Sequence, residues 1–338
     1  LLFLNGEFWG LYNMMERKGA EFIRKNHDES DIDILEFEDT RVVSGSSDEY
    51  DDLIGYLEIN DIAKDSVYKT VCSKIDIKSY TDYWIYELYS GAHDIDVNIR
   101  YWKSKIAGGK WRWISYDQDS WHKFDEESFN YFLDHTKVFM LKNLMKNKDF
   151  QHQFFNRLCD YLNTTFREEN VIRLVEDITS KISNEVHRDK EKWQDTMLYV
   201  AENERIDWIK DYSKKRPDFL REHSISYFQL EESQVNVFIN SSQTHGAVRV
   251  NSIPYQREKW VGLYFGSLSI EVEAVADAGY EFVRWKNRKL KRKPLIHITP
   301  NECNEFIPVF KEQIILKRKA KKKKTKNKKT ELKYIMFN

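Results

Sequence analysis

Apolar and polar positions fall into three regimes along the chain. Leu1 to Met15 alternate with a period of two on either side of Asn5-Gly6, a pair that favours the left-handed backbone of a tight hairpin turn, so two antiparallel strands are predicted there. Tyr80 to Ser90 (YTDYWIYELYS) carries Trp84, Ile85 and Leu88 at helical spacing, and these read as core positions of a helix. From Thr136 to Phe228 helix formers dominate, and Phe139, Leu141, Leu144, Phe150, Phe154, Phe155, Leu158, Tyr161 and Leu162 recur at steps of three and four, which predicts a packed helical bundle. After about Leu230 the period returns to two in VNVFIN, GAVRVNS, SLSIEVEAVA and YEFVRW, between turns of Gly, Ser and Asn; an antiparallel β module is predicted over 233–312. Its Tyr280, Phe282 and Trp285 read as core, because a small β unit needs large aromatics to fill its interior. Asp28 to Asp52, with DESDIDILEFED and SGSSDEYDD, is acidic and serine-rich and reads as a surface loop with a short strand.

Composition adds two constraints. With 41% hydrophobic and 14% aromatic residues and only five prolines, the chain has material for a sizeable core, yet no apolar run approaches the roughly 20 residues of a membrane span. The formal charge of −1 hides an asymmetry: ten of the thirteen residues from Lys317 to Lys329 are basic, leaving 44 basic against 55 acidic residues elsewhere, near −11. Such a run repels itself, so residues 313–338 are expected to form a disordered basic tail that could hold anionic wall polymer, nucleic acid or phospholipid headgroups. Cys72, Cys159 and Cys303 are widely spaced and odd in number, which indicates buried thiols rather than a disulfide framework or metal knuckle. Asn163-Thr164-Thr165 has the form of a glycosylation sequon.

Candidate chemistry concentrates in two segments, GAHDIDVNIRYW (Gly91 to Trp102) and WRWISYDQDSW (Trp111 to Trp121). Asp94 and Asn98 lie four apart, and Asp117 and Asp119 follow the next strand, so one pocket can gather four hard oxygen ligands. A loop Asp, an Asn shortly after it and a second Asp beyond a further strand is the order that phosphoryl transfer uses to orient a hydroxyl and hold divalent metal. Asp and Asn are also ordinary turn residues, so the spacing alone leaves a structural reading open. His93 and His122 flank the segments; imidazole matches Mg²⁺ poorly, and both read as structural or supporting.

The opening LLFLNGEFWGLYNMMERK, both acidic segments, FQHQFFNRLCDYLNTTFREENVIRLVEDI and KKRPDFLREHSISYF together resemble the CotH kinase family, the atypical protein kinases named after spore coat protein H. The resemblance covers residues 1–230. It implies an α+β, protein-kinase-like fold and phosphorylation of protein serine or threonine with ATP and Mg²⁺ or Mn²⁺, in secreted, spore-coat or bacterial cell-surface settings. By the family pattern Asp94 is the catalytic-loop residue, Asn98 and Asp117 hold metal, and Asp119 adds a ligand. On the same plan the first hairpin is the last one of the small lobe, the linker at Met15, Glu16 and Arg17 faces adenine, and the earlier small-lobe strands are missing from these 338 residues. Members commonly carry an aromatic residue before the loop Asp and a His two positions after it; this chain has His93 and Asp96. Its GAVRVN and ADAGYEFVRW resemble internalin-B-type repeats of bacterial surface proteins. The competing class is a surface interaction protein that keeps a kinase-like fold and works by adhesion.

Overall fold

The computed structural model describes residues 1–37, 40–95, 97–118, 121–134, 138–193, 202–231, 233–242 and 244–313. Strands β1 (Leu2–Leu4) and β2 (Glu7–Gly10) form the expected hairpin, with Asn5 at φ 50° and Gly6 at φ 85°, the two positive angles that a two-residue turn of this hand requires. Helix α1 (Ala20–His27) comes next and stops at Asp28, whose left-handed backbone (φ 56°) returns its N–H to the Arg24 carbonyl.

The acidic stretch after it departs from the expected surface loop. It contributes β3 (Ile32–Glu36), every residue of which is buried, β4 (Arg41–Ser44) and the start of α2 (Asp48–Ile59). Its two buried carboxylates are matched: Asp33 accepts a hydrogen bond from the Ser46 N–H at 2.8 Å and lies 3.4 Å from the Lys105 ammonium, and Glu36 pairs with Arg41 and Arg100. Asp48, Glu49 and Asp51 occupy the first turn of α2, where negative charge faces the positive end of the helix dipole. Helices α3 (Asp65–Lys74) and α4 (Ile77–Ser90) lead into β5 (Arg100–Ser104) and β6 (Arg112–Ile114), which complete an antiparallel sheet in the order β4-β3-β5-β6.

The expected helical region is present as α5 (Ser128–Asp134), α6 (Phe139–Leu144), α7 (Lys148–Leu162), α8 (Glu168–Trp193) and α9 (Glu202–Phe228). Helix α7 is started by the Asn147 side chain, which accepts from the Phe150 N–H, and it buries Phe150, Phe154, Phe155, Leu158 and Leu162 on one side. The first hairpin rests on α8: the Trp193 indole donates to the Trp9 carbonyl at 3.0 Å, and the Leu11 N–H donates to Asp189 at 2.7 Å. Among the described residues no helix is long and apolar enough to cross a membrane.

The β module contains β7 (Gln234–Asn240), β8 (Gly246–Val250), β9 (Lys259–Phe265), β10 (Ile270–Ala276), β11 (Tyr280–Trp285), β12 (Leu295–Ile298), β13 (Glu305–Phe306) and β14 (Pro308–Glu312). Pairing is antiparallel except for β13 on β7, a parallel contact that a period-two pattern cannot reveal. Trp285 is core, as expected, and Phe282 packs against it, while Tyr280 is half-buried and stacks on His245. The Lys-rich run 317–329 lies outside the described residues.

The module packs directly on α7 through a polar seam. Asp160 is buried and accepts from the Tyr264 hydroxyl at 2.8 Å, the Ser252 N–H at 2.9 Å and the Ser252 hydroxyl. Asn163 is also buried and bonds both the N–H and the carbonyl of Leu263 at 2.9 Å, so the sequon asparagine is a bridge between the two units rather than an accessible acceptor. Cys159 and Cys303 are buried free thiols and Cys72 is half-buried. Replacing Asp160 by Ala orphans Tyr264 and Ser252 inside this seam. It should lower the unfolding free energy by about 3 kcal/mol in chemical denaturation, and a loss below about 1 kcal/mol would show that water takes over its bonds.

Candidate active site

Helix α4 delivers the loop that carries Asp94. Its end is fixed by Gly91 in the left-handed region (φ 65°), whose N–H returns to the Glu87 carbonyl; a side chain there would meet Ser128, Arg216 and His122 at 3.4 to 3.5 Å. Arg216 of α9 is fully buried and closes the same end. Its guanidinium donates to the carbonyls of Leu88 (2.5 Å), Tyr89 (3.0 Å), Phe124 (2.9 Å) and Glu126 (2.7 Å) and to the Ser128 hydroxyl (2.6 Å). A positive charge at a helix C-terminus is favourable, although burial pulls the Arg216 pKa below its ordinary value.

Within the loop, Ile95 and Ile99 are buried and act as anchors, each directly following a half-buried polar residue, Asp94 and Asn98. The Asp94 carbonyl accepts from the N–H groups of Val97 and Asn98 in a helical turn. That turn stacks the two side chains, and the Asn98 amide donates to the Asp94 carboxylate at 2.6 Å. In the ladder beyond, Arg100 is opposite Ile114, so Asn98 enters β5 at the end of the sheet where β6 exits toward Asp117. Asp117 is exposed and adopts φ 52°, a conformation that Asp tolerates better than most residues. Asp119 and Asp96 lie outside the described residues.

The segment after Asp117 is laced to the last turn of α4. The Ser90 hydroxyl donates to the Gln118 side chain at 3.2 Å, the Gln118 amide donates to Glu87, and the His122 N–H donates to the Ser90 carbonyl at 3.1 Å. Glu87 is thereby enclosed. Burial raises its pKa to about 7, with the charge of Asp94 acting in the same direction and hydrogen bonds from Tyr83 and Gln118 acting against it.

Arg100 ties the expected adenine linker to this region. It donates to the Lys18 carbonyl at 2.6 Å, pairs with Glu36, and lies over the ring of Tyr116 at 4.6 Å, directly before Asp117. In the linker itself Met15 is exposed, Glu16 takes the Lys25 ammonium at 3.3 Å, and the Arg17 carbonyl accepts from Gly19. A groove of about 680 Å³ lined by Tyr83, Trp113 and Ser115 borders this sheet but includes neither Asp94 nor Asp117.

One constellation escapes the sequence reading. His93 and His122 stack with ring centroids 3.6 Å apart, and Glu126 reaches both, at 2.9 Å from His93 Nε2 and 3.9 Å from His122 Nδ1. The Tyr131 ring also stacks on His93, at 3.9 Å between centroids. Burial and the neighbouring His93 depress the pKa of His122. The histidines are visible in the sequence as flanking residues; Glu126, 33 positions from His93, carries no spacing signal.

A family model described as CotH kinase protein matches residues 1–220. No curated protein and no solved structure matches the chain.

Glu87 gives the region a measurable pH signature. Its folded pKa stands above the ordinary 4.5, so between about pH 4.5 and 7 the native state holds a proton that the unfolded chain has released. Stability should therefore fall as pH rises through that window, by an amount of order 3 kcal/mol. In Glu87→Gln, which keeps an acceptor for Gln118, denaturation midpoints measured across the window should lose this slope; a slope equal to that of the parent chain would mean that Glu87 is ionised throughout.

Proposed function

Because the chain belongs to the CotH kinase family, we propose that it transfers the γ-phosphoryl group of ATP to serine or threonine hydroxyls of a protein. The observation that carries this reading is the Asn98-to-Asp94 hydrogen bond of 2.6 Å at the end of α4. It uses the amide nitrogen of Asn98, which leaves that side chain's carbonyl oxygen and the exposed Asp117 carboxylate as hard donors and the second Asp94 oxygen to take the acceptor's proton. Such a set fits Mg²⁺ or Mn²⁺.

Asp94 accepts the proton of the acceptor hydroxyl as its oxygen bonds to phosphorus and the bond to the β-phosphate oxygen breaks, leaving ADP. Asn98 holds the Asp94 carboxylate in one orientation and, with Asp117 and Asp119, supplies the metal ligands. When bound, the divalent ion neutralises charge on the phosphate oxygens. Glu87, neutral below about pH 7, spares Asp94 a second negative neighbour in the same loop. The backbone at Met15, Glu16 and Arg17 faces the adenine, and the next residue, Lys18, gives its carbonyl to Arg100. The acceptors are secreted, spore-coat or cell-surface proteins, and the Lys317 to Lys329 run binds anionic surface polymer.

Labelled phosphate transfer from ATP with Mg²⁺ or Mn²⁺, to the chain itself and to a serine-rich basic protein, tests this. Asp94→Asn and Asp117→Asn should each lower the rate at least about 100-fold without changing the melting midpoint by more than a few degrees. Transfer that survives both substitutions would remove these residues from the chemistry. Absence of both transfer and nucleotide binding in the parent chain would favour the adhesion reading.

A further inference from the structure

The pair of stacked imidazoles behind the Asp94 loop has no role in the phosphotransfer scheme. We propose that His93, His122 and Glu126 form a binding site for a borderline transition-metal ion, with Zn²⁺ the best match, distinct from the oxygen site for Mg²⁺. Two imidazole nitrogens with one carboxylate oxygen are the donor set such ions prefer and magnesium does not. One ligand atom from each residue lies within 4.8 Å of the others. Tetrahedral coordination at roughly 2.1 Å places ligand atoms roughly 3.4 Å apart. His93 Nε2 lies 2.9 Å from one Glu126 oxygen and His122 Nδ1 lies 3.9 Å from the other, distances either side of that value, and closing the set on one ion takes rotation of the carboxylate and a turn of the stacked rings out of their parallel arrangement.

The backbone of each ligand is already held. The Tyr131 hydroxyl donates to the His93 carbonyl at 2.6 Å, the His122 N–H donates to Ser90, and the Glu126 carbonyl accepts from Arg216 at 2.7 Å and from the Ser128 N–H at 2.9 Å. Such fixation lowers the ordering cost of binding and is the support that metal ligands require. The side chains are only partly buried, at 31, 39 and 26% exposure, so an ion reaches them from solvent. Three protein ligands leave a further coordination position for water. Because His93 immediately precedes Asp94, an ion here also pins the start of the loop. The binding itself does not depend on the proposed phosphotransfer.

Zn²⁺ titrated into metal-free protein against a chromophoric chelator should show one ion bound per chain. Affinity should fall at least tenfold in both His122→Ala and Glu126→Gln, and the latter preserves the carbonyl that Arg216 holds. Circular dichroism of the metal-free variants should match that of the parent. Co²⁺ added to the unmodified chain provides a second reading: visible bands of a four- or five-coordinate nitrogen and oxygen site are expected. No zinc uptake by the parent, equal affinity in either variant, or a Co²⁺ spectrum that stays octahedral and aqueous would each overturn the assignment.

Discussion

The buried guanidinium of Arg216 is the interaction on which the rest of the site depends. A charge taken out of water is costly unless all its donors are used, and here they meet four carbonyls and a hydroxyl. Those acceptors belong to the last turn of α4, to the segment after His122 and to the first residue of α5. One residue of α9 therefore fixes three pieces of chain that are far apart in sequence. The Asp94 loop leaves from the first of these pieces, and Glu126 sits on the second. Tyr212, one turn earlier on α9, adds its own hydroxyl to the Tyr89 carbonyl. Without that convergence the loop would hang from an unfinished helix end, with its last carbonyls unpaired.

Much of this architecture is legible in the sequence. Asn5-Gly6 specifies its hairpin because few residue pairs tolerate two positive φ angles, and α4 and α7 emerge from apolar spacing around 3.6. The acidic stretch misleads because the rule that carboxylates seek water ignores partners supplied from elsewhere. Glu36 sits between Arg41, five residues on, and Arg100, sixty-four residues on, and only the second of those pairings joins β3 to β5. In the same way the serines and acids of SGSSDEYDD look like loop, because only the burial of Tyr50, Leu53 and Leu57 on one side of α2 makes them a helix start. Strand β9 (KWVGLYF) carries no clean alternation, since its edge pairs with β7 while α7 packs behind it.

The candidate site divides along the same line. Asp94 and Asn98 can be found because their partnership is local: four residues apart, in one helical turn, with a hydrogen bond that the spacing itself makes available. Asp117 is placed by its position after a strand, and the register of β5 on β6 brings it to the same end of the sheet. Glu87 and Gln118 give no such signal. One is an acid in the middle of an apolar helix and the other a neutral residue beside a candidate ligand, and only their mutual contact gives either a meaning. The group of His93, His122 and Glu126 is assembled by Arg216 and Ser90, not by sequence spacing, so no motif announces it.

Charge bears on what the candidate site can hold. Asp94, Glu87 and Glu126 lie near the C-terminal end of α4, which itself presents the negative end of a helix dipole. The neighbouring arginines are already occupied, Arg216 by carbonyls and Arg100 by Glu36 and the Lys18 carbonyl. A phosphate arriving alone would meet repulsion from this basin. On the proposed phosphotransfer reading, the same phosphate accompanied by a divalent ion would meet hard oxygen donors from Asn98 and Asp117. Neutralisation of Glu87 by burial is then part of the same balance, since it removes one negative charge beside Asp94.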